Sequence, residues 1–423
     1  MPGDYRGFMV SVRLSRRYIN ELIFILFVFE LTWIFSPAYG ASAERVILPS
    51  LPAILPEPDQ WGVIKVPDAQ MKMRALTLEP VIQNGLEKYL RRHGNPIAAA
   101  VVVDVSSGKI LAMVQGKDPK LWGSQVHSAL YEGYPAASLF KIVPTIAAID
   151  LAHIEPATRL GLTGGCAKVH PRGIWMRDVR PSRPHSMTLN RAFANSCNSF
   201  YAKITLKYLG VGVLNQYAKQ LGWGETVPTD FLLSPSPISP PPPPQSAIHN
   251  VGRYAAGFGK VGLSPMHAAW INLVIARNGH SLPLTIFSDR DPTIRYGTGF
   301  KNQQIISEPG SLKIRKMMQT TVRSGTASSA FRKWGMRSIK RTAGGKTGTL
   351  NSQNPDGLAT WFAGLMPWDE PEIVVIALVV NGQRWIIKGS HLAAEAFLLW
   401  EKFRKSRDIS SGKQTKKSSG AES

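Results

Sequence analysis

The chain has 423 residues, 44% of them hydrophobic, so it can bury a sizeable core and divide into two or three domains at most. Lys and Arg number 50 against 28 acids, and the formal net charge of +22 favours an anionic partner: nucleic acid, a membrane surface or polyanionic wall material. No HExxH or CxxC pattern occurs, so nothing argues for a metal, and no cofactor is expected.

Arg6, Arg13, Arg16 and Arg17 precede an apolar run over 22–35, broken by Glu30, and Ala41-Ser42-Ala43 follows. A basic start, a short apolar stretch and an Ala-x-Ala ending form a secretory signal. The run is shorter than the roughly 20 residues that span a bilayer well, so residues 1–43 read as a cleaved signal rather than an anchor. Membrane association through the N-terminus is the alternative. Export puts nucleic acid out of reach and leaves the periplasm or the outer face of the cytoplasmic membrane. In that compartment Cys166 and Cys197 are permitted to pair. Nothing in the sequence shows that they approach each other, so two inert thiols is the expectation.

Residues 44–79 are Pro-rich and predict an extended lead-in. Pro80 opens a helical pattern closed at Gly94. The β-branched run 98–105, the turn Ser106-Ser107-Gly108-Lys109 and the run 110–114 predict a β-hairpin. Helices are expected over 138–152, kinked or broken at Pro144, and over 189–209, closed by Gly210. A Pro-rich insertion at 234–245 must be extended and on the surface. A helix over 265–278, closed by Gly279, follows. Strands are predicted at 345–350, 359–365 and 373–380, then an amphipathic helix over 391–403. The basic tail 405–423 reads as disordered. Strands at both ends with helices between them suggest one sheet assembled from both ends around an inserted helical region.

Three short motifs occur in order: Ser138-Leu139-Phe140-Lys141, Ser196-Cys197-Asn198 and Lys346-Thr347-Gly348-Thr349. Each is weak alone, since S-x-x-K recurs at Ser106 and Ser410 and S-x-N at Ser352. Those copies fall in a turn, the tail and a loop. Three residues is about one helical turn, so Lys141 shares a face with Ser138. A serine hydroxyl needs an adjacent base, and an ammonium cannot be one. Burial and the charge of Lys346 would both favour a neutral Lys141. Backbone N–H groups at the helix start would favour an oxyanion. In isolation Ser138 would read as a helix N-cap. Ser196 and Asn198 interrupt a helical pattern and so predict a turn, where Ser196 can relay a proton and Asn198 can hold a peptide amide. The plainer reading of that turn is loop capping. Lys346 opens a strand whose free edge can pair with an extended peptide. Gly348 permits close approach, Lys346, Thr347 and Thr349 suit a terminal carboxylate, and the Thr349 N–H is a second oxyanion donor.

The trio resembles the penicillin-binding protein and serine β-lactamase superfamily, whose motifs are S-x-x-K, S-x-N and K-[TS]-G. The hairpin 101–113, Ser324-Gly325-Thr326-Ala327 and Trp361-Phe362-Ala363-Gly364 are similar to the same domain. The resemblance spans about 80–404. It implies an α+β fold, a mainly antiparallel sheet sandwiched by helices with an all-helical subdomain. It also implies Ser138 as nucleophile, Lys141 as base, Ser196 as proton relay and Asn198 as the substrate amide contact. Lys346, Thr347, Gly348 and Thr349 are implied around the substrate carboxylate. The expected activity is a serine D,D-transpeptidase or carboxypeptidase acting on peptidoglycan stem peptides and binding β-lactams. A β-lactamase and a non-catalytic wall-binding or sensor protein are the alternatives. The lead-in is expected to be too short for a further glycosyltransferase or pedestal domain, and the proline block has no derived role.

Two other features are set aside. Gly257-Phe258-Gly259-Lys260-Val261-Gly262 fits G-x-G-x-x-G, but no strand precedes it, so it reads as a turn before the next helix. Residues 321–350 carry seven basic side chains and no acid, a solvated face or a lure for anionic wall precursor.

Overall fold

The computed structural model describes residues 48–418 except 69, 95–96, 117–125, 178–185, 242–247, 290–302 and 334, with backbone alone over 410–418. The predicted signal segment 1–43 and the proline block from 242 onward lie outside the described residues.

The lead-in is not merely extended. Strands β1 (Lys65–Pro67) and β2 (Met73–Ala75) form a small antiparallel hairpin. Leu51, Ile64, Val66 and Leu76 bury their side chains in the main core. Helix α1 (Pro80–His93) follows, with Pro80 in its first turn and Gly94 in the left-handed conformation (φ 60°) that ends it. Strands β3 (Ile97–Asp104) and β4 (Ile110–Gln115) are the predicted hairpin.

The helical region begins with a 3₁₀ turn, Ala137–Lys141, that runs directly into α2 (Ile142–Asp150). Pro144 does not kink this helix. It is the third residue of α2, in the first turn, where its missing N–H costs little. Strands β5 (Arg159–Gly161) and β6 (Ser186–Thr188) make a short ladder. The single helix predicted over 189–209 is instead α3 (Leu189–Ala194), α4 (Asn198–Ile204) and a π-turn (Thr205–Leu209). Gly210 (φ 75°) caps the π-turn, as the sequence predicts, and also opens α5 (Gly210–Gln220).

The described part of the proline-rich segment is extended, but not wholly on the surface. Ser236 is buried, accepts from Ser264 N–H at 3.1 Å through its hydroxyl and from Gly224 N–H at 2.9 Å through its carbonyl. A Pro-rich strand has few N–H donors of its own, yet its carbonyls still recruit partners. Helices α6 (Ile248–Ala255), α7 (Pro265–Ala276), α8 (Glu308–Ser324) and α9 (Arg337–Thr342) follow. The chain then forms β7 (Gly344–Gln353), β8 (Asp356–Met366), β9 (Ile373–Asn381) and α10 (Gly389–Ser418).

Five strands make the central antiparallel sheet in the order β4-β3-β9-β8-β7. The first hairpin of the domain therefore pairs with the last strand, through contacts such as Ala99↔Leu378 and Val101↔Ile376. Ala99, Val101, Trp361, Ala363, Ile376 and Leu378 face the helical region. Ala98, Ala100, Val102, Phe362, Val375 and Val379 face α1 and α10. Strands covered on both faces read as unbroken apolar runs, as β3 and β9 do. Helix α10 continues past Lys405 into the segment predicted to be disordered. Among the described residues no helix is long and apolar enough to cross a membrane.

Candidate active site

Ser138 sits on the 3₁₀ turn that starts α2. The preceding Ala137 has φ 50°, a left-handed conformation that costs an alanine about 1–3 kcal/mol. Packing holds it there. A Cβ on Gly257 would lie 1.9 Å from Ala137 O, so only glycine lets the 257–262 turn close over the backbone beside Ser138. Lys141, one turn on, is fully buried, and its Nζ lies 2.6 Å from Ser138 Oγ. The same nitrogen donates to Ala256 O at 2.8 Å. Burial, reinforced by the charge of Lys346, holds Lys141 well below the ordinary lysine range. An amine in its neutral form beside a serine hydroxyl is the arrangement a general base requires.

Ser196 occupies the turn between α3 and α4, as the sequence predicts, with φ 58°. Its hydroxyl accepts from Lys346 Nζ at 3.0 Å. The neighbouring Cys197 is not a free thiol. It is disulfide-bonded to Cys166 across a separation of 31 residues, with the two Cα atoms 4.6 Å apart. The loop from β5 folds back onto the start of α4, an approach that no local pattern encodes. Hydrogen bonds reinforce the same contact. Asn198 N–H donates to Cys166 O at 2.8 Å, Asn198 Nδ2 to Ala167 O at 2.6 Å and Ser199 Oγ to Gly165 O at 2.6 Å.

Strand β7 is an edge of the sheet, so its outer side is open to an extended ligand. Lys346 points inward from it. It is fully buried, donates to Thr347 O at 2.9 Å as well as to Ser196, and lies over the Phe193 ring at 5.6 Å. Burial pushes its pKa down to about 7. Gly348 packs against Ala137 and Trp361, and a Cβ there would stand 3.3 Å from each. Thr347 Oγ1 is hydrogen-bonded to Thr326 Oγ1, while Thr349 is exposed.

A cavity of about 290 Å³ collects these groups. Ser138, Ser196, Asn198, Thr347, Gly348 and Thr349 line it, and Lys141 and Lys346 lie behind its wall. A larger cavity of about 660 Å³ lies between α10 and the β3–β4 turn and holds none of these residues. The residues of the three motifs gather at the smaller one. Thr326, Gly257, Thr360, Lys388 and Ser390 also line it and were given no role by sequence reasoning. Thr326 falls in Ser324-Gly325-Thr326-Ala327, the one signal that pointed to it. Gly257 belongs to the turn set aside as a false nucleotide motif.

A family model described as the penicillin binding protein transpeptidase domain matches residues 98–398. The chain belongs to the penicillin-binding protein transpeptidase family. Among its relatives, peptidoglycan D,D-transpeptidase PbpA of Mycobacterium tuberculosis is 25% identical over 353 residues, covering 75% of this chain and 69% of that protein. Two solved structures share the fold. The D,D-transpeptidase domain of an Eggerthella lenta peptidoglycan glycosyltransferase superposes with a TM-score of 0.62 at 20% identity, over 78% of this chain and 82% of that one. Penicillin-binding protein A of M. tuberculosis, as a ceftriaxone acyl-enzyme complex, superposes with a TM-score of 0.60 at 22% identity, over 77% and 78%. This chain's own helices and antiparallel sheet, a fold shared with those structures, are the architecture that the resemblance implies.

Proposed function

We propose that the protein is an exported serine D,D-transpeptidase of cell-wall peptidoglycan, acting through an acyl-enzyme on Ser138 and acylated there by β-lactams. The observation that carries this reading is the buried, neutral-leaning Lys141 amine 2.6 Å from Ser138 Oγ. The relatives named as peptidoglycan D,D-transpeptidases support it.

A stem peptide ending in D-Ala-D-Ala lies along the open edge of β7. Asn198 holds the peptide amide, and Thr347 and Thr349 offer hydroxyls to the terminal carboxylate. Ser138 Oγ attacks the penultimate carbonyl and its proton passes to Lys141 Nζ. The oxyanion is stabilised by backbone N–H groups at Ser138 and Thr349. The C–N bond then breaks, and the departing D-Ala amine takes a proton through Ser196, which Lys346 holds by a 3.0 Å hydrogen bond. The ester on Ser138 is resolved by an acceptor amine, giving a cross-link, or by water, giving a trimmed peptide. Residues 1–43 direct the chain out of the cytoplasm, as a signal or as an anchor.

The test is turnover of a D-Ala-D-Ala donor peptide in the presence of a second stem peptide with a free side-chain amine. Release of D-Ala with formation of the cross-linked product is expected. Release with hydrolysis alone would make the protein a carboxypeptidase, and no release from either would refute the reading.

A further inference from the structure

The cations at the reacting centre are enclosed, with one exception. Lys141 contacts Ser138 Oγ and donates to Ala256 O, and Lys346 donates to Ser196 Oγ and Thr347 O, so neither side chain reaches into the cavity. Among the described residues lining the cavity, Lys388 is the one that carries a charge. It is exposed, and it belongs to none of the ion pairs among the described residues.

Its position is built rather than incidental. The loop 382–388 joins β9 to α10, and Asn381 braces it from below. Asn381 Nδ2 donates to Ile387 O at 3.0 Å, and Asn381 Oδ1 accepts from Ile386 N–H at 3.1 Å. Gly389 N–H donates to Thr360 Oγ1 at 3.0 Å. A Cβ on Gly389 would lie 2.5 Å from Thr360 O, so this close approach requires glycine. Lys388 N–H donates to His391 Nδ1 at 3.1 Å, and Lys388 Nζ rests over the Trp385 ring at 5.1 Å, which directs the side chain.

A carboxylate entering this cavity loses water and needs a compensating positive charge. Thr347 and Thr349 supply hydroxyls but no charge. Lys346 lies beneath the strand and is engaged with Ser196. We infer that Lys388 recognises the terminal carboxylate of the acyl donor from the cavity rim, together with Thr347 and Thr349, and so sets the preference for donors with a free C-terminus. This rests on the acyl-transfer reading above.

The probes are benzylpenicillin and its uncharged methyl ester, with acylation followed by intact mass in wild type, Lys388→Gln and Lys388→Arg. Wild type is expected to prefer the free acid. Lys388→Gln should reduce that preference roughly tenfold, as for loss of one partly exposed charge contact, and leave the rate with the ester unchanged. Lys388→Arg should keep the preference. Added salt should slow the free acid in wild type and hardly at all in Lys388→Gln. An unchanged preference in Lys388→Gln, or equal slowing with both probes, would overturn this inference alone. Acylation of wild type by neither probe would overturn the acyl-transfer reading and this inference with it.

Discussion

The base role proposed for Lys141 depends on where the residue sits, not on what it is. Full burial and the neighbouring charge of Lys346 disfavour its ammonium form. The sign of the pH dependence follows. As pH falls, Lys141 takes up a proton and can no longer accept one from Ser138, so acylation slows on the acid side. Burial pushes Lys346 down to about 7, and its charge adds to the burial that lowers Lys141. Lys141→Met is expected to slow acylation by a factor of roughly 10²–10⁴ and to flatten the acid limb of its pH profile. A progress curve of β-lactam acylation between pH 5 and 8 checks both. The sequence made this residue legible because S-x-x-K fixes Ser and Lys on one helical face. It did not make Gly257 legible, because the need for glycine there arises from Ala137 O, 120 residues away along the chain.

At the level of elements, the turn between α3 and α4 brings Ser196 and Asn198 to the cavity that Ser138 lines, from outside the S-x-x-K helix. It is held from one side by Lys346 and from the other by the loop that carries Cys166. The disulfide falls inside the S-x-N motif, so it constrains the motif directly. Replacing Cys166 and Cys197 together by serine is expected to lower stability by roughly 4 kcal/mol, in line with the separation of 31 residues that the disulfide closes. It should also slow acylation of Ser138 several-fold. Thermal unfolding and acylation rates, compared between wild type and the double variant, check this, and equal rates would show that the hydrogen bonds to Cys166 O and Ala167 O suffice. The S-x-N turn was legible from the small polar residues that break a helical pattern. The pairing was not, because it depends on the return path of the loop after β5. Pro144 was misread for a local reason: its effect depends on where the α-helical ladder starts, and the 3₁₀ turn before α2 shifts that start.

Across the whole molecule, the strands at both ends of the domain were legible because β3 and β9 are covered on both faces and so read as apolar runs. Their pairing into one sheet places β7 at the edge beside Ser138. The reach of α10 was less legible. Lys- and Ser-rich composition hides the pairs that support it, Glu401 with Lys405 at 3.9 Å and Arg404 with Glu372 at 3.2 Å. The docking of the lead-in was hidden too, since a few apolar side chains among prolines carry no periodicity. The architecture converges on one chemical claim, that Ser138 is an acyl-accepting nucleophile. The direct measurement is intact mass over time after adding benzylpenicillin to protein lacking residues 1–43, with Ser138→Ala beside it. A long-lived adduct located on Ser138, and none in the variant, is the expected result. A transient adduct with drug hydrolysis would make the protein a β-lactamase, and a folded wild type that forms no adduct would contradict the account.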